Sequence, residues 1–187
     1  LRYNGGRPAS LAASTAITLS GDRPAIGYLQ GGLNANTDAL ADVTANAGAL
    51  TLQNGATQTV GGASSGGLTN TGSITVDGAN SALAVNGALA NTGTLTLAHA
   101  GALTATGTLS NLGGGSTLNG GVWDLDGLLS YTGNNITAVA AGTTVALAGT
   151  GGFRNGGTNA LAGLATLDGM LSLSSSATAT TNPPLSV

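Results

Sequence analysis

Residues 68–113 write one unit three times: LTNTGSITVDGANSALAVNGA, then LANTGTLTLAHAGALTATGT, then LSNLG. Leu68, Leu89 and Leu109 hold one phase, Asn70, Asn91 and Asn111 a second, and Gly72, Gly93 and Gly113 a third. Asn70 to Asn91 is a step of 21 residues, and Asn91 to Asn111 a step of 20. A fixed period of this size signals a solenoid, in which each unit buries its apolar face only against its neighbours. The phrase reaches back to Asn46, Gly48, Leu50 and Leu52, 24 residues before their counterparts Asn70, Gly72, Ile74 and Val76. It returns in part at Gly169, Leu171 and Leu173, where Leu167 takes the Asn position.

Within a unit, Ser73-Ile74-Thr75-Val76 and Thr94-Leu95-Thr96-Leu97 alternate polar and apolar residues. Period two predicts half-buried strands with Ile74, Val76, Leu95 and Leu97 facing inward. A corner follows, then a second short strand at residues 82–85 or 102–105, and a third apolar touch at Leu89 or Leu109. No unit carries the i, i+3, i+4, i+7 stripe of a helix, and Gly recurs too often for one. The expected fold is therefore all-β, a parallel β-solenoid with coils of about 20–24 residues. At the strand spacing of about 4.8 Å, roughly eight or nine coils would make a rod about 40 Å long.

Composition supports this. Of 187 residues 33 are Gly, only 6% are charged, and Lys and Glu are absent. Thr, Ser and Asn must then clothe the surface, and they suit strands and turns better than helices. Apolar residues at 41% and a net charge of −3 oppose disorder, which goes with low hydrophobicity and high charge. Nucleic acid is not an expected partner, because four scattered Arg make no basic patch. No run of about 18 apolar residues occurs, so no transmembrane segment is expected. Without Cys, disulfides and thiolate metal sites are excluded. No cofactor or metal is expected.

The organisation reads as three parts. Residues 1–42 hold three of the four Arg and form irregular N-terminal coils or a cap. Residues 43–173 form the solenoid. Residues 174–187, rich in Ser and Thr and ending in Pro183-Pro184 and three more residues, form a terminal arm or linker. Residues 151–159, GGFRNGGTN, read as a loop leaving the rod. The recurring Asn has a physical reason. Stacked side-chain amides donate and accept in turn, so Asn46, Asn70, Asn91 and Asn111 are expected to form a ladder.

Few residues offer chemistry. His99 is the only histidine and falls in a turn. Asp124 and Asp126 stand at i, i+2 on an expected strand, on one face, where paired carboxylates could bind or cleave a glycan. The plain alternative is a solvated strand face. Trp123 and Tyr131 could stack on a sugar ring, although aromatics in a small solenoid more often fill the core. Thr51, Thr75 and Thr96 share an outward phase one coil apart, which raises ice binding as another alternative beside ordinary strand surface. None of these is strong enough to name catalytic, cofactor-binding or metal-binding residues.

The phrase L-x-N-x-G-x-[IL]-x-[VL], carried by Leu68/Asn70/Gly72/Ile74/Val76 and Leu89/Asn91/Gly93/Leu95/Leu97, resembles the repeats of bacterial surface and secreted β-helix proteins. These are the filamentous-haemagglutinin-like exoproteins and autotransporter passenger domains. The resemblance covers residues 43–118 well and the rest only in style. It implies a right-handed β-helix, an extracellular or cell-surface location and an adhesive or structural role, with no catalytic residues to carry over. The expectation is a non-enzymatic structural or adhesive solenoid. Its expected partners are copies of itself, through end-to-end stacking of coils or strand addition by residues 174–187, and host or bacterial glycans. A self-assembling filament or surface-layer subunit is one form of this reading.

Overall fold

The computed structural model describes residues 2–3, 7–22, 27–30, 33–62 and 66–179. They are all-β, with no helix. The chain winds as a β-solenoid of about five turns, and successive coils lay strands parallel on the same faces.

One sheet runs the length of the rod. Its seven strands are Ala16–Ser20, Ala49–Gln53, Ser73–Asp77, Thr94–Ala98, Val122–Leu125, Thr144–Ala148 and Met170–Ser174. All neighbouring pairs are parallel and in register, so the alternation in each strand becomes two unbroken apolar columns. The first is Ile17, Leu50, Ile74, Leu95, Trp123, Val145 and Leu171. The second is Leu19, Leu52, Val76, Leu97, Leu125, Leu147 and Leu173. The expected inward face is thus the observed one, and the Gly169–Leu173 echo pairs where its phase predicts. Seven strands span about 29 Å, shorter than the eight or nine coils inferred from length.

A second sheet stacks Thr57–Val60, Ala82–Val85, Ala102–Ala105, Leu128–Tyr131 and Gly152–Asn155. A third carries Ser10–Leu11, Ala45–Asn46, Leu68–Asn70 and Leu89–Asn91, and Leu109 bridges onto Leu89. The three inner faces meet in one hydrophobic cluster running from Leu11 to Leu164. Within residues 1–42, Ser10–Leu11 and Ala16–Ser20 already belong to the stack. Arg7 ties this region to the next corner by an ion pair with Asp42 at 3.0 Å. Of the expected terminal arm, Ser174 ends the last strand, and residues 180–187 lie outside the described residues.

Coil length varies more than the repeat suggests. Strand starts along the long sheet step by 24 residues (Ala49 to Ser73), 21 (Ser73 to Thr94) and 22 (Val122 to Thr144). Three other steps are longer: 33 (Ala16 to Ala49), 28 (Thr94 to Val122) and 26 (Thr144 to Met170). Each long coil holds one antiparallel pairing. These are Gly27–Gln30 with Leu33–Asp38, Leu112–Gly113 with Thr117–Leu118, and Gly152–Asn155 with Thr158–Asn159. The extra residues fold back as local hairpins, so the stack keeps its register across them.

Residues 151–159 do not leave the rod. Gly152–Asn155 pairs with Leu128–Tyr131 as the next strand of the second sheet, and the turn after it returns antiparallel. Phe153 is the reason. It follows Leu83, Leu103 and Leu129 in the inward column and sets its ring 5.5 Å from that of Trp123, tilted by 58°. A buried aromatic pair of this kind outweighs the turn preference of the flanking Gly-Gly dipeptides.

Candidate functional site

The repeat's conserved phase builds an amide ladder through the third sheet. Asn46 Nδ2 donates to Asn70 Oδ1 at 2.8 Å, and Asn70 Nδ2 donates to Asn91 Oδ1 at 2.8 Å. Each amide also donates to a backbone carbonyl one coil on: Asn46 to Ser73 O, Asn70 to Thr94 O and Asn91 to Val122 O. Asn111 closes the ladder differently. Its Oδ1 accepts the backbone N–H of Asn91, and its Nδ2 donates to the carbonyl oxygens of Asn91 and Asn119. The ladder goes no further. Leu118, Val139 and Leu167 continue the third face in its place. At the other end Leu11 lies in register with Asn46, and Asn46 Oδ1 is buried without a partner. All four amides are buried, so the ladder is scaffold and presents nothing to a ligand.

The aromatic candidates are scaffold too. Trp123, Tyr131 and Phe153 are buried in the core. Trp123 Nε1 donates to Gly120 O at 3.0 Å, and the Tyr131 hydroxyl donates to Asn134 O at 2.9 Å. Burial pushes the Tyr131 phenol up to about 12. Neither Trp123 nor Tyr131 offers a face to a sugar. Both fill the widened interior of the coil where the regular repeat ends.

The two carboxylates separate. The strand Val122–Leu125 ends before Asp126, so Asp124 stands on the exposed sheet face while Asp126 sits in the corner after it. Asp124 lies in register between Thr96 and Ala146. Asp126 Oδ2 accepts the backbone N–H of His99 at 3.1 Å. Arg154 stands on another sheet, in register with Ser130, and forms no ion pair with either carboxylate.

The structure brings together a group that spacing along the chain did not suggest. Asp77, His99 and Asp126 occupy the same corner of three successive coils. His99 and Ala100 both take positive φ, 48° and 65°, and this turn places the His99 Nδ1 at 2.6 Å from Asp77 Oδ1. The Asp77 hydrogen bond and charge, with a smaller push from Asp126, hold His99 above its ordinary value of 6.5. The ring is largely exposed, so this is a surface ion pair and not a buried catalytic dyad. Residues one coil apart at one corner become neighbours, which is the only signal a sequence could have given.

The outward Thr phase is also real. Thr18, Thr51, Thr75 and Thr96 stand in register on four successive strands of the long sheet, and Asp124, Ala146 and Ser172 continue the column. The column beside it reads Ala16, Ala49, Ser73 and Thr94, so a Thr-x-Thr pair occurs on one of these four strands alone. On the first three strands of the second sheet the outward residues are Thr57, Thr59, Ala82, Ala84, Ala102 and Thr104, and Leu128, Ser130 and Arg154 follow on the next two. A shallow cavity of about 300 Å³ lies over this face, bordered by Asp38. Over the first strands both surfaces consist mainly of small side chains, with Thr the recurring polar residue, and larger or charged side chains (Val122, Asp124, Leu128 and Arg154) follow.

No protein family, curated protein or solved structure matches this chain.

Proposed function

We propose that the chain acts as a non-catalytic structural or adhesive scaffold of the extracellular space or cell surface. One observation carries this reading: regularity is kept on the outside of the rod as well as inside. The inward columns alone would satisfy folding. Yet four consecutive strands also hold Thr18, Thr51, Thr75 and Thr96 in one straight outward row. A row of hydroxyls about 4.8 Å apart on a stiff sheet presents a periodic, uncharged, hydrogen-bonding surface. Such a surface suits a repeating partner with hydroxyl groups, as in a polysaccharide, or another copy of the same rod. The titratable groups Asp77, His99 and Asp126 sit on a convex corner, an arrangement that favours surface chemistry over turnover.

The test is a panel of soluble and insoluble glycans, assayed for retention of the purified chain and for new reducing ends. Retention without hydrolysis is expected. It should fall at least tenfold in Thr51→Val/Thr75→Val/Thr96→Val, which removes the hydroxyls and keeps the β-branched shape, so its circular dichroism should match the parent. Reducing ends that appear with the parent and vanish with Asp124→Asn would overturn the non-catalytic reading in favour of glycan cleavage.

A further inference from the structure

Four Asn-Gly pairs occur among the described residues: Asn54-Gly55, Asn86-Gly87, Asn119-Gly120 and Asn155-Gly156. The pair is chemically weak. Once the Gly amide nitrogen loses its proton it can bond the Asn side-chain carbon, and Gly has no Cβ to crowd that approach. These corners cannot exchange the Gly for a bulkier residue, because all four take positive φ, from 54° at Gly156 to 117° at Gly87. Instead, each of these Gly N–H groups is held. Gly55 donates to Ser81 Oγ at 3.1 Å, Gly87 to Thr106 Oγ1 at 2.8 Å and Gly120 to Thr143 Oγ1 at 2.7 Å. Gly156 donates to Tyr131 O at 3.1 Å. At three of the four corners the acceptor is thus a hydroxyl supplied by the following coil.

The Asn side chains differ. Asn54 Nδ2 donates to Ser20 Oγ, Asn86 Nδ2 to Gly62 O and Asn155 Nδ2 to Gly133 O. Asn119 bonds through its backbone alone among the described residues, and its side chain is exposed.

We propose that Asn119 is a latent deamidation site, held closed by the Thr143 hydroxyl. In the reaction Gly120 N gives up its proton and forms a bond to Asn119 Cγ. The bond from Cγ to the side-chain nitrogen breaks, and that nitrogen leaves with the proton as ammonia. Water then opens the five-membered imide at either carbonyl, giving Asp or isoaspartate. Thr143 opposes the first step. It is 1% exposed, and its hydroxyl donates to Leu118 O at 3.3 Å, so Oγ1 meets Gly120 with a lone pair. An acceptor there favours the N–H over its anion and fixes the nitrogen in its corner. The end of the amide ladder depends on this corner. Asn119 O accepts from Asn111 Nδ2 at 2.7 Å, and the Asn119 N–H donates to Asn111 O at 2.9 Å. In isoaspartate the main chain runs through Cγ, and the former backbone carbonyl becomes part of a carboxylate. Conversion therefore takes away the group that closes the ladder and adds a negative charge.

Peptide mapping by mass spectrometry, on the folded full chain kept warm at mildly alkaline pH, reads each Asn separately. The wild type should keep Asn119 well beyond the time at which the same chain in urea has converted it. Thr143→Val preserves the β-branched shape and removes the acceptor. It should deamidate at Asn119 about tenfold faster, the scale of one hydrogen bond. Thr143→Ser restores the acceptor and should return the wild-type rate. Asn54 and Asn86 are internal references and should not change in either variant. Acceleration at all three positions would overturn the proposal, because general loosening of the fold would explain it. So would a Thr143→Val rate equal to the wild type's, or an Asn119 that converts as fast in the folded wild type as in urea. Hydrogen exchange of the wild type needs no variant. The Gly120 N–H should exchange slowly although Asn119 is exposed, and exchange at the unfolded rate would overturn the role of Thr143.

Discussion

Asn70 shows how much one side chain holds. Its amide donates to Asn91 and to the Thr94 carbonyl, and its oxygen accepts from Asn46, all within the core. Removing it leaves Asn91 Oδ1 buried without a donor and takes one acceptor from Asn46. Orphaned buried groups cost about 1–3 kcal/mol each. Asn70→Ala is therefore expected to lower the unfolding free energy by about 3 kcal/mol in urea titration. Asn80→Ala, on an exposed corner, should stay within about 0.5 kcal/mol of wild type. His99 supplies the pH-dependent case. Asp77 raises its pKa in the fold, so the protonated form is the favoured one. Its contribution to stability is complete below the unfolded value of 6.5 and is lost as pH rises through the folded value. The single imidazole can be followed by NMR. Its midpoint should lie above 6.5 in the wild type and move down in Asp77→Asn, keeping a small residual rise from Asp126.

The strand-to-corner junctions explain a second recurring residue. Corner glycines are usually read as suppliers of positive φ. Several here do that, Gly78 and Gly87 among them. Gly72 and Gly93 of the N-x-G phrase serve another purpose. A Cβ on Gly72 would come to 2.1 Å from Gly48 O, and a Cβ on Gly93 to 2.1 Å from Gly72 O, without any positive φ at either position. Coils approach so closely at this junction that a methyl group meets the carbonyl of the coil before. Gly93→Ala should cost about 3 kcal/mol or more, because only backbone movement relieves the contact. Gly152→Ala should be close to neutral in the same urea titration, since nothing lies within 4 Å and its φ is ordinary. The same element-level economy governs the long coils, where surplus residues pair locally as hairpins instead of displacing the next strand.

At the scale of the molecule, cohesion comes from apolar columns and backbone ladders, and very little from charge. Two ion pairs occur among the described residues, Arg7 with Asp42 and His99 with Asp77. A net charge of −3 over 187 residues gives copies little electrostatic reason to repel one another. The rod therefore combines a stiff interior with sides that Thr and Ala line over the first strands and that carry Asp124 and Arg154 farther on. The sides are polar and repeat at the coil spacing.

The amino-acid sequence by itself determined the class of fold, the inward face of nearly every strand and the Asn ladder. All three depend on local patterns, alternation with period two and a repeat of 20–24 residues, which survive without knowledge of what lies alongside. Only the tertiary structure decided that Trp123 packs on Phe153, that Asp126 parts from Asp124 and joins His99 and Asp77, and that Gly152–Asn155 is a strand. Each of these depends on how many residues the intervening corners consume. A hairpin in a coil changes that number without leaving a trace in the alternation.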